Sequence, residues 1–274
     1  MEQIIHAVQD MTHLSWSNIG NSSGTAGSFL KSQEITPHGK TYYKLSAYDS
    51  IQGVYGHESV NEIIADRLLT VLGIPHLNYQ LIHADILIDG KTLRTWLCAS
   101  SDFRKRGEQK LALDIYYENN RKSKDETPMA FCLRHGWDEY IYRMLVFDYL
   151  ILNRDRHGAN MEVLVNRSTK TVRLAPLFDH GVSFFSRTFT KEALEKEDVM
   201  DDKAIQCFVG SRSAAANLSL IPTDRRPLLI PLRESDRSIL LGGLEDALDP
   251  LWLERSWEMV WRRWQAYEAF CNKR

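Results

Sequence analysis

Two aspartates and one asparagine near the middle of the chain have the types and spacing that phosphoryl transfer demands. In Asn153-Arg154-Asp155-Arg156-His157-Gly158-Ala159-Asn160, Asp155 and Asn160 stand five positions apart, and Asp179 follows in Leu177-Phe178-Asp179-His180-Gly181. Transfer to a hydroxyl needs a carboxylate that orients the hydroxyl and accepts its proton, and Asp155, in a loop where a helix should end, is the candidate base. Magnesium needs hard oxygen ligands that leave positions open for triphosphate oxygens, and Asn160 and Asp179 supply two. Alone, such a loop would read as a solvated stretch with ion pairs. Here it is the fourth of five ordered features: a glycine loop, a strand lysine, a helix carrying glutamate, this loop, and the D-x-G beyond a hairpin.

The upstream features suit the same chemistry. Residues 20–28 read GNSSGTAGS, and Gly24 and Gly27, with Thr25 between them, would let backbone amides approach phosphates closely. No G-x-x-x-x-G-K-[ST] is present, which excludes a P-loop. Lys44 sits in the β-rich run 40–46, where an inward lysine must be paired or bind an anion. Glu58 and Glu62, one turn apart on the next helix, could each reach Lys44. Glu62 lies within the regular helix and is the expected partner, whereas Glu58 sits at the helix mouth, where an acid suits the first turn.

The elements that must hold these residues follow from periodicity. Leu14 to Ser17 alternates, the run at 40–46 follows a turn at Pro37-His38-Gly39, and apolar positions from Val60 to Leu72 have helical spacing, stopped by Gly73 and Pro75. Residues 79–88 and 92–99, joined by Asp89-Gly90-Lys91, predict a hairpin. The first part is thus expected to be an antiparallel sheet with one helix. After Ser100 helices dominate: Trp137 to Leu152 is one, 161–165 and 171–174 form a hairpin, and 251–270 is another, holding four of the seven tryptophans as packing residues. The stretch from Asp179 to about Ser219 reads as loop, and its acidic run at 192–202 as a solvated face.

Composition narrows the partners. With 34 Lys and Arg against 36 Asp and Glu, the net charge of -2 gives no basic field for nucleic acid or membrane, so phosphate affinity must be local. The four cysteines form no C-x-x-C pair, which fits a reducing, cytoplasmic setting, although delivery to a host cell is compatible with it. No secretory signal and no membrane span are expected.

These motifs resemble the HipA-type serine/threonine kinases, bacterial toxin kinases with a distant protein-kinase fold. The family's N-x-D-x-H-x-x-N matches Asn153, Asp155, His157 and Asn160, and its L-x-P-x-[FY]-D matches Leu174-Ala175-Pro176-Leu177-Phe178-Asp179. The short chain, with its S-S-G-T-x-G loop and G-H-E-S-x-N-E helix, is similar to the compact, cell-translocating type. The resemblance implies ATP and Mg²⁺ as cofactors, His157 as a support of the catalytic loop, and a hinge near Leu97 to Ser101 where Cys98 and Ala99 offer backbone groups to adenine. It also implies autophosphorylation, for which Ser22, Ser23 and Thr25 are the candidates; the family's S-x-S-G would place Asn21 at its first serine. The prototype's N-terminal accessory subdomain has no counterpart here, so an antitoxin would be a separate chain.

The expectation is therefore an α+β, two-lobed kinase-like fold: an N-lobe over residues 1–98 and a mainly helical C-lobe over 99–274. The expected function is an ATP- and Mg-dependent protein serine/threonine kinase acting on a protein substrate. A lipid or small-molecule kinase, which the D-R-H-x-x-N and D-x-G pair also resembles, and a nucleotide-binding pseudokinase are the alternatives.

Overall fold

A computed structural model describes residues 2–19, 26–37 and 39–272. The N-terminal part is a six-stranded sheet built from β1 (Ile4–Asp10), β2 (Ser17–Ile19), β3 (Ala26–Thr36), β4 (Gly39–Leu45) and, past a small ribbon of β5 (Tyr48–Asp49) and β6 (Gly53–Val54) and the helix α1 (Glu58–Val71), β7 (Tyr79–Ile88) and β8 (Lys91–Ser101). The spatial order is β1-β7-β8-β4-β3-β2. All neighbours are antiparallel except β1 and β7, which run parallel from Ile4↔Leu81 to Asp10↔Asp85. The periodicity gave no sign of β1, because it is an edge strand whose residues beyond Ile4 are polar or partly exposed. The β7–β8 turn places Asp89 at φ 51° and Gly90 at φ 74°, the left-handed pair that a two-residue hairpin needs.

Two expectations about β8 change. The strand runs to Ser101, and Cys98 and Ala99 pair with Lys44 and Tyr43 on one side and with Leu81 and Gln80 on the other. Their backbone groups therefore lie in a central ladder rather than facing a ligand. The boundary expected between residues 98 and 99 falls inside this strand, and the chain leaves the sheet at Asp102.

Helix α1 forms where Val60, Ile63, Ile64, Leu68 and Leu69 line up, and it ends at Leu72 before Gly73, which takes φ 70°. Unlike an ordinary amphipathic helix it also buries Glu58, Asn61, Glu62 and Asp66. One apolar core joins it to the C-terminal helices, while a smaller core lies within the sheet around Leu45, Ile82 and Leu97.

Beyond Asp102 come β9 (Glu108–Ala112), α2 (Leu113–Asn120), α3 (Pro128–Arg134) and α4 (Asp138–Ile151), then the two-residue β10 (Asp155–Arg156), a 3₁₀ turn at Gly158–Asn160, and the hairpin β11 (Glu162–Asn166) and β12 (Thr171–Leu174). Strand β9 completes a three-stranded sheet with that hairpin. The stretch expected to be loop holds α5 (Lys191–Glu195), β13 (Gln206–Cys207) and α6 (Ala214–Asn217), followed by α7 (Arg237–Leu241) and α8 (Pro250–Cys271). The acidic run has exposed carboxylates, but Leu194 and Val199 are buried and Arg263 of α8 donates to the carbonyls of Val199 at 2.8 Å and Asp201 at 2.7 Å. Trp252, Trp257 and Trp264 of α8 are core residues, with Trp261 partly buried against them.

Candidate functional site

Lys44 on β4 is the meeting point of the two parts of the chain. Its Nζ lies 3.1 Å from Glu62 Oε1 of α1 and in close contact with Asp179 Oδ1. Glu58 points elsewhere: its Oε2 accepts from the backbone N–H of Ala47 at 3.0 Å. Burial opposes the charge on Lys44, yet Asp179 and Glu62 outweigh it and hold the ammonium well above its ordinary range. Burial opposes ionisation of Asp179 as well, and Lys44 with Lys31 nonetheless keeps that carboxyl well below the usual carboxylate range. Glu62 is pushed up by burial, with Lys44 pulling it back.

The segment around Asp179 is fixed by its backbone. Asp179 takes φ 59°, a left-handed conformation uncommon outside glycine, and its N–H donates to the Tyr79 hydroxyl at 3.2 Å. The next N–H, of His180, donates to Glu62 Oε2 at 2.8 Å, and Asn61 Nδ2 donates to the carbonyls of Gly181 and Ser183 at 2.9 and 3.2 Å. A Cβ on Gly181 would stand 3.0 Å from Glu58 Cβ and 3.3 Å from Glu62 Oε1, so the D-H-G glycine is set by the close approach of α1.

The loop at 153–160 is held from beneath. Helix α4 ends with Leu152 in the left-handed region, and Asn153 Oδ1 then accepts from the Asp155 N–H at 3.1 Å. Asn160 Nδ2 donates to the Asp155 carbonyl at 2.8 Å and lies 3.3 Å from its Oδ2. That orientation leaves Asn160 Oδ1 as the oxygen donor. His157 Nδ1 accepts from the Ala159 N–H at 3.1 Å, which puts its ring proton on Nε2, 3.5 Å from Asp155 Oδ1.

Asp148 and Arg156 escaped the sequence reading. Fully buried Arg156 donates through Nε and Nη2 to both carboxylate oxygens of Asp148, each at 2.9 Å, and through Nη1 to the carbonyls of Phe178 at 3.0 Å and Asn160 at 3.3 Å. Asn153 Nδ2 adds a bond to Asp148 at 2.9 Å. One guanidinium therefore ties α4 to the loop bearing Asn160 and to the residue before Asp179. Asp148 occupies the last turn of an apolar helix, and only the eight-position offset to an arginine beyond the helix end signals the pair.

Lys44, Glu62, Asn160 and Asp179 line one cavity of about 730 Å³, together with Cys98, Lys31, Phe103 and Phe178. Asp155 stands beside it, half-buried, through its contacts with Asn160. Lys31, opposite Lys44 across β3 and β4, brings a second cation. The rings of Phe103 and Phe178 lie 5.8 Å apart at 33° and give the cavity an apolar plate. Cys98 is among its lining residues and Ala99 is not. Gly27 falls in β3, whereas Ser22, Ser23, Gly24 and Thr25 lie outside the described residues.

An amide oxygen and a carboxylate beside an open cavity are a donor set that suits magnesium shared with phosphate oxygens, which needs few protein ligands. No cluster of three or more His, Cys, Asp or Glu that could hold a metal alone occurs among the described residues. No helix among them is long and apolar enough to cross a membrane.

No protein-family model matches the chain, and no curated protein does. Among solved structures, the Helicobacter pylori proinflammatory kinase CtkA is similar over 96% of this chain and 98% of its own, with a TM-score of 0.62 at 14% identity. A chain of the Shewanella oneidensis MR-1 toxin–antitoxin complex of HipA, HipB and operator DNA is similar over 93% of this chain and 67% of its own, with a TM-score of 0.44 at 15% identity. The likeness to CtkA establishes the fold: along nearly its whole length this chain is built as that compact kinase is built.

Proposed function

We propose that the chain is an ATP- and magnesium-dependent protein serine/threonine kinase, with the sheet and α1 forming one lobe and the helices after Asp102 the other. The observation that carries this reading is the convergence of Lys44, Glu62, Asn160 and Asp179 on one cavity with Asp155 at its edge. Its volume of about 730 Å³ is in the range of pockets that enclose a nucleotide-sized ligand.

In this reading Lys44 turns its ammonium to the α- and β-phosphates, and Glu62 keeps it aimed. Asn160 and Asp179 would hold magnesium, which when bound neutralises and aligns the triphosphate oxygens. Asp155 orients the acceptor hydroxyl and takes its proton as the oxygen bonds to the γ-phosphorus and the bond to the β-phosphate oxygen breaks. His157 and Asn160 hold the Asp155 carboxylate in place. Ser22, Ser23 and Thr25 remain the proposed autophosphorylation sites, and a protein acceptor and a separate small regulatory chain the proposed partners.

The test presents γ-labelled ATP with magnesium to a bacterial protein extract and, separately, to phosphoinositide vesicles. Label on serine or threonine of a protein is expected. Label on lipid alone would shift the reading to a lipid kinase. Nucleotide binding with no label anywhere would contradict kinase activity and leave a pseudokinase.

A further inference from the structure

We infer that Glu162 is a specificity-determining residue that reads the nucleoside half of the nucleotide through its second carboxylate oxygen. The inference rests on the nucleotide reading of the cavity and adds to it a residue outside the phosphate machinery. Glu162 opens β11, two residues past Asn160, and lines the same cavity. It is only 7% exposed. Its Oε1 pairs with Lys110 Nζ at 3.2 Å, while its Oε2 is buried without any hydrogen-bond partner.

A buried carboxylate oxygen left without a donor is costly, and an ionised carboxylate can only accept. Its placement says what it can accept from. Lys31 and Lys44, the cations that attend Asp179, mark the phosphate end of the cavity. A phosphate set against Glu162 would be repelled. The neighbours of Glu162 are different: Lys110 is held by it and also lies 5.9 Å from the Tyr42 ring, and Arg104 is occupied by Asp102. The Phe103 and Phe178 plate, which can pack against a flat base, belongs to the same cavity. The group that meets Glu162 Oε2 must therefore be a neutral donor of the nucleoside, either a ribose hydroxyl or the exocyclic amine of adenine.

The sources separate by analogue. Dissociation constants are measured with magnesium for ATP, 2′-deoxy-ATP, 3′-deoxy-ATP and inosine triphosphate, which replaces the amine by a carbonyl oxygen. Wild type should bind at least one analogue about tenfold more weakly than ATP. In Glu162→Gln, Lys110 keeps the amide oxygen, so the amide NH₂ takes the place of Oε2 and can no longer accept: it opposes the adenine amine outright, and with a ribose hydroxyl it replaces the charge-assisted bond by a weaker neutral one. That variant should weaken ATP by about tenfold and abolish the preference over the same analogue. A purely structural role would weaken all four alike.

Wild type that binds all four alike, or a variant that loses all four equally, overturns the inference while leaving the nucleotide reading intact. Wild type that binds none of them contradicts both. The wild-type panel decides even where Glu162→Gln folds poorly, which its thermal melt would show.

Discussion

The charged residues of the site share partners but differ in the role proposed for each, so replacing one should change one kinetic quantity more than others. Asp155→Asn keeps the size of the side chain and the bond to Asn160 but removes the proton acceptor. Turnover should fall about 10²–10⁴-fold with the ATP dissociation constant nearly unchanged, as read by steady-state kinetics beside calorimetry. Lys44→Met removes the proposed phosphate contact and leaves Glu62 and Asp179 unneutralised in the interior, so nucleotide affinity should fall as well. The grouping was legible in the sequence: the spacing of Asp155, Asn160 and Asp179 singles them out together, and the fold sets Asn160 and Asp179 on one cavity with Asp155 beside it. The choice between Glu58 and Glu62 was nearly so: α1 turns Glu62 toward Lys44, while Glu58 is taken by the Ala47 amide. What could not be read was the Asp148–Arg156 pair, since charge in or beside a helix is ordinarily solvent-facing.

Elements are joined here by buried polar groups rather than by apolar contact alone. Arg156 is held charged against the opposing effect of burial by Asp148, and it connects α4, the 153–160 loop and the residue before Asp179. Arg156→Met should destabilise the protein by about 3–5 kcal/mol, since it strands the Asp148 carboxylate, while the paired Asp148→Leu/Arg156→Met should recover part of that loss. Urea unfolding of the three variants checks it. Elements with strong periodicity, namely α1, α4, α8 and both hairpins, could be placed from sequence to within a residue or two. Strand β1 could not, because an edge strand with one buried apolar residue has no alternation to detect. Nor could the true length of β8, since propensity says where a strand begins to pair and not how far its neighbours extend. That length moved the point where the chain leaves the sheet past Ser101.

At the scale of the whole molecule, near-neutral charge coexists with concentrated local charge, and the interior carries histidines that must stay neutral. Burial pushes His57 down to about 4 from 6.5 and His180 well below its ordinary value, in the latter case with Arg156 adding to the effect. Because these folded-state values are depressed, the unfolded chain takes up protons first as pH falls. The stability present above about 6.5 should therefore be lost progressively toward 4, on the order of 3 kcal/mol for His57 alone. Urea midpoints at pH 7 and pH 5 should show the fall, and His57→Phe, which cannot titrate, should lessen it, with His180 still contributing. Transfer of the γ-phosphoryl group at this cavity is the central proposal. Its most direct measurement is intact mass and labelling after incubation with magnesium and ATP, comparing wild type with Asp155→Ala and Asp179→Asn. Phosphate is expected on the wild-type chain or on an added protein and on neither with the two variants; wild type that transfers none, or an Asp155→Ala chain that transfers as much as wild type, would contradict the proposed transfer.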